Sequence, residues 1–150
     1  MSDGRLVLYA DGASRGNPGP AGAGAVLFDE KGVVVAELTR ALGRATNNVA
    51  EYSGLILGLE EAKRRGATAV DVRMDSKLVV EQMRGLWRIK HPGLRPLALR
   101  AGALLASFPE RTIQHVPREE NAHADMLSNR AIDESDWGAL PPNPRSTRGE

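Results

Sequence analysis

There is no cysteine anywhere in the 150 residues, which removes both a disulfide framework and any thiolate zinc site. A metal ion would have to be held by oxygen or imidazole. No apolar run approaches the ~20 residues that a membrane span requires. The N-terminal MSDGRLVLYAD lacks the architecture of a signal peptide. Charge of one sign is missing too: the formal net charge is +1 and the pI is near 8.2, so bulk electrostatics does not announce a polyanion binder. No internal repeat is visible. The remaining composition, 41% hydrophobic and 26% charged, is that of one ordinary globular domain. These absences lead us to expect a cytoplasmic, monomeric protein with no membrane partner.

What is present is organised by period and punctuation. Leu6 to Ala10 alternates into Asp11 as a strand, and the glycine- and proline-rich stretch from Gly12 to Gly22 reads as a loop. Ala23–Phe28 and Val33–Thr39 form a predicted hairpin around Asp29-Glu30-Lys31-Gly32. Thr46, Asn47 and Asn48 offer helix caps before the helical spacing of Tyr52, Leu55, Leu59 and Ala62, with Gly66 as the stop. Val70–Met74 is a strand ending at Asp75, followed by a helix from Ser76 to Arg84 and a loop from Leu86 to Pro96. A helix through Leu97, Ala101, Leu104 and Leu105, a strand Thr112–Val116 and a last helix Asn121–Ile132 complete the pattern. The order βββαβααβα implies a mixed sheet flanked by helices. Residues 1–134 are read as the domain and 135–150 as a Pro/Arg-rich tail or linker stub.

Four acidic residues stand in four distinctive contexts: Asp11 in YADGASRGNPGPAG, Glu51 in TNNVAEY, Asp75 in VRMDSKLVV and Asp125 in ENAHADML. Each falls near an expected element boundary, where strand ends meet helix starts. Mg²⁺ takes hard oxygen ligands, and a pair of such ions needs several converging carboxylates to offset its charge. That chemistry points to metal-dependent cleavage of a phosphodiester. Arg84, Arg88, Lys90, His91 and Arg95, with no acid between them, add a basic stretch.

The segments DGASRGNPGPAGAGAV, TNNVAEY, MDSKLVVEQMRG and NAHADMLSNRA, in that order from about Leu6 to Ile132, resemble type 1 ribonuclease H. The likeness is to the compact branch lacking the long basic protrusion, similar to the ribonuclease H domain of bacterial proteins fused to a histidine-phosphatase-like domain. It implies an α/β ribonuclease H-like fold, a five-stranded mixed sheet with its first three strands antiparallel, flanked by helices. It implies an endonuclease that hydrolyses the RNA strand of RNA–DNA hybrids with two Mg²⁺ ions, Mn²⁺ being a substitute, and leaves 5′-phosphate and 3′-hydroxyl ends. Asp11, Glu51, Asp75 and Asp125 take the family's metal positions. Asn17, Arg44 and Thr46 match its phosphate pocket for the DNA strand, and Asn47 and Asn48 its minor-groove contacts. Trp87 is placed to pack while leaving one face for a deoxyribose.

The chain departs from better-known members before the last acid. Their loop carries a histidine; here it reads Val116-Pro117-Arg118-Glu119-Glu120-Asn121. Arg118 is assigned to take that place, as a phosphate contact that cannot serve as a base. His123 is expected to face away and His115 to be structural. Three further readings stay open at this point: a noncatalytic hybrid-binding module, a domain of a bifunctional protein with a C-terminal phosphatase, and additional activity on double-stranded RNA.

Overall fold

The computed structural model describes residues 4–139. Five strands form one sheet in the order β3-β2-β1-β4-β5: β1 (Arg5–Ser14), β2 (Gly19–Phe28), β3 (Val34–Ala45), β4 (Ala69–Met74) and β5 (Glu110–His115). β1, β2 and β3 pair antiparallel, while β4 joins β1 and β5 joins β4 in parallel. Four helices accompany them: α1 (Asn47–Arg64), α2 (Lys77–Met83), α3 (Arg95–Ala106) and α4 (Ala122–Ala139). The element order and mixed sheet are those the sequence pattern led us to expect.

Three boundaries differ from expectation, each for a physical reason. Asp11 does not end β1; it pairs with Gly24, and the ladder continues to Ser14 opposite Ala21. The glycine-rich segment is therefore mostly strand, with only Arg15–Pro18 left as a connection. Small residues are tolerated there because helices cover the sheet on both sides. β3 likewise runs past Thr39 to Ala45, with a register shift between Ala21 and Gly22. It is an edge strand with no fully buried residue and no regular alternation of exposure, which conceals its length in the sequence. Finally, α4 continues through residue 135 to Ala139, so the expected boundary there falls inside a helix. Residues 140–150 of the expected tail lie outside the described residues.

Alternation along β2 assigns its two faces. Ala25 and Leu27 join the main core with Leu6, Leu8, Tyr52, Leu55, Val72 and Leu104. Gly22 and Gly24 face α4 instead, and a Cβ on Gly24 would lie 2.5 Å from the Ser128 backbone nitrogen. The AGAGA run of residues 21–25 thus lets α4 lie directly on the sheet backbone, which brings Asp125 towards Asp11. α1 approaches β1 as closely on the other side: a Cβ on Gly54 would lie 2.3 Å from the Asp11 carbonyl oxygen, and one on Gly12 2.1 Å from the Ala50 carbonyl carbon. Two helices are pinned around one short piece of β1.

Candidate active site

Asp11, Glu51 and Asp75 converge at that piece of β1, each offering a carboxylate oxygen within 4.8 Å of the others. The strand supplies Asp11, which is 4% exposed. The second turn of α1 supplies Glu51, one turn past the first-turn position its sequence context suggests, set by a start at Thr46 whose hydroxyl accepts from the Val49 N–H at 3.3 Å. The end of β4, adjacent to β1, supplies Asp75 just before the Ser76 cap of α2. Asp125 stands in the first turn of α4 and lines the same cleft of about 490 Å³, outside the tight group of three. Asn47, Arg118 and Asn129 complete its walls.

Crowding shapes the charges. Burial pushes the Glu51 carboxyl far above the usual range, and the neighbouring Asp11 charge pushes further in the same direction. Burial also raises Asp11, against the lowering effect of its hydrogen bond with Glu51, while the Asp75 charge adds to the rise. Both carboxyls of the pair are thus held towards their protonated forms until a cation compensates their charge. The Gly12 N–H donates to Asp11 Oδ1 at 2.9 Å and to Glu51 Oε1 at 3.1 Å, fixing both carboxylates from one backbone atom. Such a set of hard oxygen donors, held together against repulsion, suits divalent cations and fits no soft-metal chemistry.

Two amides hold the remaining acids. Asn121, 1% exposed, donates from Nδ2 to Asp75 Oδ1 at 2.8 Å and to the Ala10 carbonyl at 3.0 Å. Asn129 Nδ2 donates to the Asp125 carbonyl at 3.0 Å and to its Oδ1 at 3.3 Å. Sequence reasoning gave neither a role. The signal available was an asparagine at either end of the last helix's acid-bearing turn.

Other expected site residues spread along one surface. The Asn17 side chain accepts from the Asn47 N–H at 3.0 Å, so the β1–β2 connection is tied to the start of α1. Arg44 is exposed at the end of β3 opposite Pro20, and Thr46 caps α1. Asn47 and Asn48 are both exposed. Asn47 opens on the acidic cleft, and Asn48 on a second cleft of about 450 Å³ lined by Leu78, Gln82, Trp87, Arg88, Lys90 and His91. Trp87 is 43% exposed, with Lys77 Nζ 5.9 Å from its ring centre. Arg118 is a rim residue: its side chain is 90% exposed and its Nε lies 3.9 Å from Asp75 Oδ2. His123 points the other way, to Glu37 and the edge of Phe28. His115 is exposed at the end of β5 and takes no part in the cleft.

The reverse transcriptase-like family model matches residues 9–131, which include every acid of the cleft. The RNase H1 of the halophilic archaeon Halobacterium salinarum superposes with a TM-score of 0.85 at 49% identity, covering 87% of this chain and 99% of that one. This chain belongs to the ribonuclease H family. Bifunctional protein Rv2228c of Mycobacterium tuberculosis is 55% identical over 130 residues, covering 86% of this chain and 36% of the relative. The chain therefore spans about a third of the length of that relative. LC11-RNase H1, solved in complex with an RNA/DNA hybrid, is 43% identical with a TM-score of 0.82, covering 87% of this chain and 98% of the other.

Proposed function

We propose that this chain is an endonuclease that hydrolyses the RNA strand of RNA–DNA hybrids, leaving 5′-phosphate and 3′-hydroxyl ends. The observation that carries the reading is the convergence of Asp11, Glu51 and Asp75 within 4.8 Å, with Asp125 on the same cleft. A module that only bound a polyanion would gain nothing from that concentration of negative charge. Asp11, Glu51, Asp75 and Asp125 would hold two Mg²⁺ ions, with Mn²⁺ as a substitute. The chemistry supplied by bound ions is activation of a water and stabilisation of charge on the departing 3′ oxygen.

The chain's own residues do the rest. Gly12 and Asn121 fix the carboxylates in place. The side chains of Asn47 and Asn48 present amides to the minor groove, where a 2′-hydroxyl is both donor and acceptor. Asn17, Arg44 and Thr46 bind phosphate of the DNA strand, Arg with its planar fork and the others with short polar groups. Trp87 offers its open face to that strand. Arg118 holds phosphate at the rim and keeps its own proton throughout. The working form is a cytoplasmic monomer.

A second reading keeps this activity and sets it beside a C-terminal phosphatase domain in a bifunctional protein; the description of the 55% identical relative as bifunctional favours it. The length of the coding gene decides it. The activity itself is tested by offering labelled hybrid, RNA duplex, DNA duplex and DNA containing one ribonucleotide, each with Mg²⁺ or Mn²⁺. Hybrid is cut and DNA duplex resists. RNA duplex is cut more slowly than hybrid, and the lone ribonucleotide is a poor substrate. Efficient cutting at that single ribonucleotide, or none of the hybrid, would overturn the proposal.

A further inference from the structure

The acidic cleft and the basic cleft meet at the first turn of α1, where consecutive residues, Asn47 and Asn48, face one each. The far wall of the basic cleft is the segment after α2, with Trp87, Arg88, Lys90 and His91. Leu86 and Trp87 turn back on α2, their N–H groups donating to the Glu81 carbonyl at 2.9 and 3.2 Å. Besides the packing of Ile89 on the core, one buried side chain ties this segment to α1, the helix that carries Glu51, by hydrogen bonds. Gln82 is 7% exposed and lies on the floor of the basic cleft. Its Oε1 accepts from the hydroxyl of fully buried Tyr52 at 2.6 Å, and its Nε2 donates to the Arg88 carbonyl at 3.3 Å.

Donor and acceptor roles are fixed at both ends. A carbonyl can only accept, so the Gln82 amide nitrogen must face Arg88 and its oxygen must face Tyr52. Burial pushes the Tyr52 hydroxyl up to about 12, so it remains a donor at any working pH. The residue next to catalytic-cleft Glu51 is thereby connected, through one amide, to the backbone between Trp87 and Ile89. A glutamine among the apolar residues of α2 serves no packing purpose that leucine or methionine would not serve better. Its cost in a core is met only by making both bonds.

We propose that Gln82 is a positioning residue that hangs the Trp87–His91 wall on α1, and so sets the distance between the nucleic-acid strand held in the basic cleft and the strand cut in the acidic one. This rests on the hybrid-cleaving reading above. Gln82 does not line the acidic cleft; it acts on the wall through the Arg88 carbonyl. Losing it therefore weakens productive binding of hybrid and leaves the reaction of correctly bound hybrid largely intact.

Three variants separate this role from a purely structural one. Gln82→Glu keeps the acceptor for Tyr52 and loses the donor to Arg88. Gln82→Leu loses both and strands the Tyr52 hydroxyl. Tyr52→Phe with Gln82→Leu removes both buried polar partners, which restores much of the stability. The proposal expects all three to raise KM for hybrid about tenfold, the scale of one lost contact, with kcat changed less than about threefold on the same scale. It also expects faster amide hydrogen exchange at Trp87 and Arg88 in each substrate-free variant. A KM defect that disappears in the double variant as stability recovers would overturn it, as would unchanged exchange in Gln82→Glu. If the wild-type chain cuts no hybrid, the functional reading fails, and the exchange measurement still decides whether Gln82 positions the wall.

Discussion

Asp11 and Glu51 accept hydrogen bonds from the same backbone N–H, that of Gly12, at 2.9 and 3.1 Å. This shared donor exists because β1 and α1 touch backbone to backbone. A Cβ on Gly54 would stand 2.3 Å from the Asp11 carbonyl oxygen, so Gly54→Ala must push the helix off the strand. The expected cost is about 1–3 kcal/mol of stability, typical of overpacking. Divalent-ion affinity should fall as well, because the carboxylates separate. Thermal unfolding with and without Mg²⁺ measures both, and the stabilisation conferred by Mg²⁺ should shrink.

The charge state gives a pH prediction. Both buried carboxyls titrate above the ordinary carboxylate range, so the metal-free native state binds more protons than the unfolded chain. Their contribution to stability is full below about pH 4, where both states are protonated, and is lost as pH rises through the folded-state values. Divalent ions bind the deprotonated groups, so binding at neutral pH should release protons and tighten as pH rises. Calorimetry in two buffers of different ionisation enthalpy counts the protons. Binding that releases none would contradict the raised carboxyls.

Arg118 sits on the rim of the acidic cleft. An exposed arginine 3.9 Å from Asp75 contributes little to stability. Arg118→Ala should leave unfolding unchanged and lower turnover ~10–100-fold, the loss expected for one charge-assisted contact. Arg118→Lys should recover part of it. His123→Ala should do little, since that ring faces Glu37 and Phe28. A larger loss for His123→Ala than for Arg118→Ala would reverse the assignment.

Much of this molecule was legible in its sequence because the informative residues are local. Caps at Thr46 and Ser76 start the two helices that flank the acids, and both make the side-chain bond their position leads one to expect. Glycine misled where tertiary contact outweighed propensity: Gly12 and Gly22 suggested a loop but are strand residues where a helix approaches closely. Gln82, Asn121 and Asn129 went unseen for another reason. Gln82 and Asn121 act on residues distant in sequence, which leaves no periodic signal, whereas Asn129 stands one helical turn from Asp125 and only its spacing marks it.

The most direct test of the central claim is Asp11→Asn, assayed for hybrid cleavage in Mg²⁺ and for hybrid binding in the same preparation. The substitution removes one charge from a group 4% exposed and leaves its shape. A fold intact by circular dichroism, binding equal to or tighter than wild type, and cleavage reduced to background is the expected result. Turnover near that of the wild type would show that Asp11 does not hold the metal ions, and the assignment of this cleft as the active site would fall.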